Sequence, residues 1–312
     1  MKRRDFFSRM AGALTAAGIA GKICASSQGH ATRADTVNKL DRIGVSTWSL
    51  HNYFQTTRNK EFNLPGGMLE LLNFPEMIAD KYKVHHLEFC APHFTSTDAS
   101  YIRDLKTRLQ KSHSHVANMP VDIRELWTEG GLSDPNPKVR QSAVSACKKW
   151  VDIGAEIGTR SVRCDPGKMN PQNLAPTVES YKTLANYGKS KGVYVIVENH
   201  GGVGSEHPEE LVEVFKQVDS DFFGALPDFA NFPDEPTRKR GLALLFPYAQ
   251  VVCHAKGLEF DSSGQETKFD FSDSVAISKR AQFKGIYSIE YEGRGDPYVG
   301  VQKVLDELVK LL

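Results

Sequence analysis

From residue 43 onward, short runs rich in β-branched and aromatic residues alternate with longer segments of helical period, an alternation that commits a chain to βα units around a parallel sheet. Eight such runs occur, at 43–48, 86–90, 115–119, 161–165, 193–198, 223–228, 250–254 and 286–290. Eight units predict an α/β protein of the (β/α)8 TIM-barrel class, and the roughly 270 residues of 41–312 suit one such domain. No internal repeat or Pro/Ser-rich linker divides this span. Between the runs, Val139, Ala143, Ala146, Trp150, Ile153 and Ile157 recur at helical spacing over 136–157. Asn173 and Ser205 are expected N-caps, and Pro208 followed by Glu209 and Glu210 marks an acidic first turn. Val301, Val304, Leu305, Leu308 and Leu311 form the stripe of a terminal packed helix over 297–312.

Ahead of this body, Lys2, Arg3, Arg4 and Arg9 precede a weakly apolar Ala/Gly/Leu/Ile stretch, the charged-then-apolar order of an export signal. The stretch is too short and too rich in glycine to span a bilayer, so no stable membrane insertion is expected once it is removed. Arg3-Arg4 followed by Asp5-Phe6-Phe7-Ser8 resembles the twin-arginine signal. Residues 1–34 are therefore expected to be a cleavable leader, cut after Ala25, Ala31 or Ala34, and the mature protein to be periplasmic or otherwise extracytoplasmic.

The whole chain carries a formal charge of +1, but its first 34 residues hold six basic and one acidic side chain, so the remainder stands at −4. A body without a basic surplus or Lys/Arg block is poorly suited to neutralising phosphates, which argues against nucleic acid as a partner. Cys90, Cys147, Cys164 and Cys253 are widely spaced with no C-x-x-C, and they are expected to be buried, small, apolar side chains.

Polar residues close the last four predicted strands: Glu198, Asp228, His254 and Glu290. In a parallel barrel those ends point to the C-terminal rim, where active sites of this fold lie. Three carboxylates converging there repel one another unless a cation neutralises them. With one imidazole, the donor set suits one divalent ion, Mn2+ foremost, then Co2+, Mg2+ or Zn2+, rather than a thiolate-loving metal. The alternative, four separately hydrogen-bonded polar residues, leaves the carboxylates without a shared partner.

The motifs Val197-Glu198-Asn199-His200, Pro227-Asp228-Phe229-Ala230-Asn231, Cys253-His254-Ala255-Lys256-Gly257 and Ile289-Glu290-Tyr291-Glu292-Gly293 resemble those of the xylose isomerase-like TIM-barrel superfamily. That group holds sugar isomerases and epimerases as well as AP endonucleases of the endonuclease IV type. The ligand separations of 30, 26 and 36 residues are similar to those of its ketose 3-epimerase and hydroxypyruvate isomerase branch, in which Glu, Asp, His and Glu bind one divalent metal. The resemblance covers the whole chain after the leader. Departures from the endonuclease pattern are the Asn231 found where a His is used and the lack of an Asp-x-His after the seventh strand, so a three-zinc DNA-repair site is not expected. Epimerases also often carry His at the place of Asn231.

A metal bound to a carbonyl and its neighbouring hydroxyl lowers the pKa of the intervening C–H and stabilises an enediolate. The resemblance implies Glu198 and Glu290 as the acid/base pair on opposite faces of the sugar carbon, with Asp228 and His254 as purely structural ligands. Lys256, His200, Asn231, Glu292, Glu88 and Trp48 are further candidates for substrate contacts, and His93, Phe94 and Trp127 could add aromatic surface. Arg163 with Asp165 reads either as an ion pair or as a sugar clamp. The leader argues for a non-phosphorylated sugar or sugar derivative, since sugar phosphates are mostly cytoplasmic. A lyase or dehydratase on a keto-sugar or 3-keto-glycoside would share the proton abstraction, and a non-catalytic carbohydrate-binding barrel is the alternative of a different class. The superfamily's members are often dimers or tetramers, so a homo-oligomer is compatible with the resemblance.

Overall fold

The computed structural model describes residues 39–59 and 67–312, and the expected leader lies outside them. All eight expected strands are present, as β1 (Ile43–Ser46), β2 (His86–Glu88), β3 (His115–Pro120), β4 (Ser161–Arg163), β5 (Tyr194–Glu198), β6 (Phe223–Leu226), β7 (Val252–Gly257) and β8 (Ile286–Tyr291). They form one sheet in the order β6-β5-β4-β3-β2-β1-β8-β7, with every laddered pair parallel. β1 stops at Ser46 because its hydroxyl accepts from the Trp48 N–H and turns the chain into the 3-10 segment Thr47–Tyr53. β7 runs further than its sequence pattern implies, since it stays in register with β8 from Val252↔Ile286 to Gly257↔Tyr291.

The two outermost strands, β6 and β7, meet through isolated bridges, Ala225↔Ala249 and Asp228↔His254, instead of a continuous ladder. Two backbone hydrogen bonds support the second bridge, from His254 N–H to the Pro227 carbonyl at 3.0 Å and from Phe229 N–H to the His254 carbonyl at 3.2 Å. Gly224 permits this approach: a Cβ there would stand 2.5 Å from the Tyr248 carbonyl oxygen.

Side chains alternate across a strand, so a ligand at a strand end shares its face with the residue two positions earlier. Ile196 lies before Glu198, Leu226 before Asp228, Val252 before His254, and Ile286 and Ser288 before Glu290. Ile196, Leu226, Val252 and Ile286 pack with Ala117 and Val251 into a small buried cluster separate from the main core. This apolar floor lies on the ligands' own face. The alternate residues, among them Val195, Val197, Ala225, Cys253, Ala255 and Ile289, turn outward into the larger core shared with the helices.

The expected 136–157 helix is Pro137–Ile157, with the Asn136 side chain accepting from Lys138 N–H and Gly158 closing it in the left-handed region at φ 91°. Two capping expectations change. Asn173 sits one residue outside the cap of Ala175–Lys191, although its side chain accepts from Ala175 N–H at 3.3 Å. Ser205 lies inside a short helix, Gly202–Glu206, where its hydroxyl holds the Gly201 N–H, and the acidic helix Pro208–Val218 begins after His207 instead. The terminal helix is Pro297–Leu311, with Val301, Val304, Leu305 and Leu308 buried. The four cysteines are free and buried, as expected.

Candidate active site

Glu198, Asp228, His254 and Glu290 converge, with one ligand atom from each lying within 4.8 Å of the others. His254 is the hub. Its Nδ1 stands 3.1 Å from Glu198 Oε1, 3.2 Å from Glu290 Oε2 and 3.5 Å from Asp228 Oδ2. All four residues are buried. Asp228 Oδ1 is occupied by the Ala230 and Asn231 N–H groups, whereas its buried Oδ2 makes no hydrogen bond and has the Lys256 ammonium at 3.2 Å as its nearest cation. An orphaned carboxylate oxygen aimed at two other carboxylates and an imidazole nitrogen is the donor arrangement that a divalent cation completes.

Electrostatics divide the cluster into two sides. Burial pushes the Glu198 carboxyl up, but His254, Arg163 and His200 together hold it well below the ordinary carboxylate range. Burial opposes Glu290 in the same way, and His254 and Lys256 hold it low. At Asp228 burial prevails over Lys256 and the carboxyl is raised. Each acid/base candidate has its own clamp. Arg163 donates to Glu198 Oε2 and to Asp122, and lies 2.9 Å from Asp165. Lys256 Nζ lies 2.5 Å from Glu290 Oε2 and 2.8 Å from Glu292 Oε2. Arg163 and Lys256 are both buried.

A cavity of about 280 Å³ opens over the cluster, lined by Trp48, Asp122, Trp127, Arg163, Glu198, His200, Lys256, Glu290 and Glu292. Four expected substrate contacts, Trp48, His200, Lys256 and Glu292, thus line it. Trp48 donates its indole N–H to Glu292 at 2.5 Å, and His200 Nδ1–H donates to Asp165 at 2.9 Å. Burial disfavours the charged ring of His200, but Glu198 and Asp165 outweigh it and raise its pKa to about 9. Trp127, 43% exposed, meets His200 edge-on at 5.3 Å.

Two expected contacts stand elsewhere. Glu88 is fully buried and lies against His254 Nε2, so it cannot meet a substrate. Asn231 does not line the cavity; its amide donates to Glu198 Oε1 at 3.0 Å and steadies that carboxylate. His93 stacks on Phe54 at 3.9 Å and Phe94 meets Trp150 edge-on at 5.2 Å, so both are packing residues. Arg163 and Asp165 form the ion pair and not a free clamp.

Asp122 was not legible as a site residue, though it follows β3 by two positions and so carries the same polar-after-strand signal as the ligands. With Asp165 and His200 it forms a second acidic group, but the Arg163 guanidinium lies among these side chains and already supplies their positive charge.

A parallel eight-stranded α/β sheet with three carboxylates and one imidazole gathered at its strand ends defines the class of protein. A family model described as xylose isomerase-like TIM barrel matches residues 78–311, and the chain belongs to that family. No curated protein matches the sequence. Among solved structures, the fold is similar to a xylose isomerase domain protein from Planctomyces limnophilus at 16% identity and a TM-score of 0.63, over 86% of this chain and 96% of that one. It is similar to a xylose isomerase-like TIM-barrel protein from Mycobacterium smegmatis in complex with magnesium at 14% identity and 0.59, over 87% and 97%. It is also similar to 3-keto-D-glucoside 4-epimerase from E. coli at 15% identity and 0.61, over 86% and 99%. At such identities the likeness establishes the fold.

Proposed function

We propose that this protein is an exported, divalent-metal-dependent isomerase or epimerase of an uncharged sugar or sugar derivative, built on a closed (β/α)8 barrel. The observation that carries this reading is the convergence of Glu198, Asp228 and Glu290 on His254 Nδ1, with Asp228 Oδ2 left unbonded. Glu198, Asp228, His254 and Glu290 would hold one divalent cation, Mn2+ foremost, which would supply Lewis-acid polarisation of a carbonyl and its neighbouring hydroxyl. Glu198 and Glu290 move the proton: one carboxylate takes it from the carbon and the other returns it. Asn231 and Arg163 hold Glu198 in place, and Lys256 holds Glu290. Trp48 and Trp127 offer ring faces to the C–H surfaces of a sugar.

Charge in the cavity favours a neutral substrate. Arg163 is shared among Asp122, Asp165 and Glu198, and Lys256 among Asp228, Glu290 and Glu292. The His200 imidazolium is paired with Asp165. A phosphate would meet cations already neutralised and a surplus of carboxylates. The fold likeness to a protein named as a 3-keto-D-glucoside 4-epimerase supports the same substrate class.

The test is the metal content of mature protein purified without chelator, beside His254→Ala, followed by C–H exchange of unphosphorylated sugars in D2O. About one divalent ion per chain, lost in the variant, with solvent deuterium entering the sugar, is the expected result. No metal after reconstitution overturns it. An expelled aglycone or water in place of an epimer replaces the isomerase by a lyase on the same residues. For export, replacing Arg3 and Arg4 together by lysine is expected to leave the protein in the cytoplasm, and unchanged export of that variant overturns the twin-arginine route.

A further inference from the structure

Glu88 lies behind the cluster, outside the cavity lining and against the far ring nitrogen of His254. It closes β2 at zero exposure, and its only ion-pair partner among the described residues is His254, whose Nε2 lies 2.9 Å from Oε1 and 3.2 Å from Oε2. A fully buried carboxylate without a lysine or arginine is expensive unless its charge is used locally. The two ring nitrogens of His254 are thereby assigned to different tasks, Nε2 to Glu88 and Nδ1 to the three ligand carboxylates.

The backbone is shaped to deliver Glu88 to this place. β2 and β3 run in register at His86↔His115 and Leu87↔Val116, then skip one residue so that Glu88 pairs with Asn118. Such an irregularity beside a site re-aims a side chain. Here it sets the Asn118 amide 2.9 Å from Glu88 Oε2, while the Asn118 Oδ1 accepts from the Ser161 hydroxyl at 2.9 Å. The chain of bonds runs Ser161, Asn118, Glu88, His254, from β4 through β3 and β2 to β7. Every member is buried, and each hydrogen bond fixes the orientation of the next.

We infer that Glu88 is a positioning residue which accepts the Nε2–H of His254, thereby fixing the ring so that Nδ1 is the metal-binding nitrogen, with Asn118 and the β2–β3 irregularity holding Glu88 in turn. This rests on the metal reading above. A carboxylate behind a ligating imidazole locks its tautomer and raises its basicity, and removing such a partner weakens metal binding by about 10- to 100-fold.

The experiment measures Co2+ affinity of the full chain by chelator competition, together with the visible spectrum of the Co2+ form and the melting temperature without metal. Glu88→Ala is expected to bind about 10- to 100-fold more weakly with a shifted spectrum, and Glu88→Gln, which keeps an acceptor but not the charge, to fall between it and the wild type. If Glu88→Ala does not fold, Asn118→Ala provides the measurement, with a smaller loss of affinity in the same direction. Affinities within about twofold of wild type and an unshifted spectrum in the folded variants overturn the inference. A wild-type chain that takes up no Co2+ overturns the metal reading itself, and this inference with it.

Discussion

The two halves of the sheet divide the labour differently. β5 to β8, with the segments that follow them, supply all four candidate ligands and the buried lysine, whereas β2 to β4 supply Glu88, which holds His254 and is backed by Asn118 and Ser161, and Arg163, which holds Glu198. The difference teaches that a ligand can be fixed from either half: Lys256 holds Glu290 from the neighbouring strand, whereas Glu88 holds His254 from across the sheet. Loss of a ligand should therefore strike chemistry, and loss of a holder should strike geometry or stability.

The largest effect is expected from Glu290→Gln in the ligand half. Its turnover of the sugar, followed by deuterium exchange, should fall by about 10²- to 10⁴-fold with the fold intact by circular dichroism. A holder substitution that costs more turnover than this would break the division. Next comes Arg163→Met, which leaves Asp122, Asp165 and Glu198 facing one another inside the protein. Urea unfolding should show a loss of about 3–5 kcal/mol.

A third outcome concerns the β2 side alone. His93 is 2% exposed, its Nδ1 has no hydrogen-bond partner, and burial depresses its pKa to about 3. Thr57 gives its hydroxyl proton to the His51 carbonyl, so the neutral ring donates Nε2–H to Thr57 Oγ1 at 3.0 Å. The unfolded chain then binds one more proton than the native one between the ordinary histidine value and about 3, so stability falls as pH drops through that window. Its slope is about 1.4 kcal/mol per pH unit from this residue, and His93→Gln should flatten the pH dependence of the urea midpoint between about 6 and 4. Smallest is Trp127→Ala, which should raise KM a few-fold through lost contact worth about 1 kcal/mol, with the melting temperature unmoved because the ring is already 43% exposed. A fall in kcat at unchanged KM would instead give Trp127 a part in the chemistry.

The strands were legible because short runs rich in β-branched and aromatic residues alternate with segments of helical period, as 193–198 does with the helices on either side. The polar residues that close the last four of these runs named the four ligands. What could not be seen is where a side chain finds its partner once strands far apart in the chain face each other. Glu88 carries the mark of a strand-end site residue, yet the partner it meets is an imidazole 166 residues away, so its role is support and not contact with substrate. Lys256 could equally have been a surface side chain, and the approach of Asp228, Glu290 and Glu292 explains its burial. Caps were legible to within a residue or two at Asn173 and misplaced at Ser205, since a hydroxyl bonded to Gly201 N–H and a capping hydroxyl look alike in sequence.

The place where β6 and β7 meet gives the cluster a mechanical meaning. Asp228 and His254 face each other across the one junction of the eight strands that lacks a continuous ladder. Asp228 and His254 would hold a cation there, and its coordination would add stability where backbone pairing is thinnest. Amide protons of β6 and β7 should accordingly exchange with solvent more slowly when the cation is bound, while those of β2 and β3, stitched by their own ladder on the other side, should hardly respond.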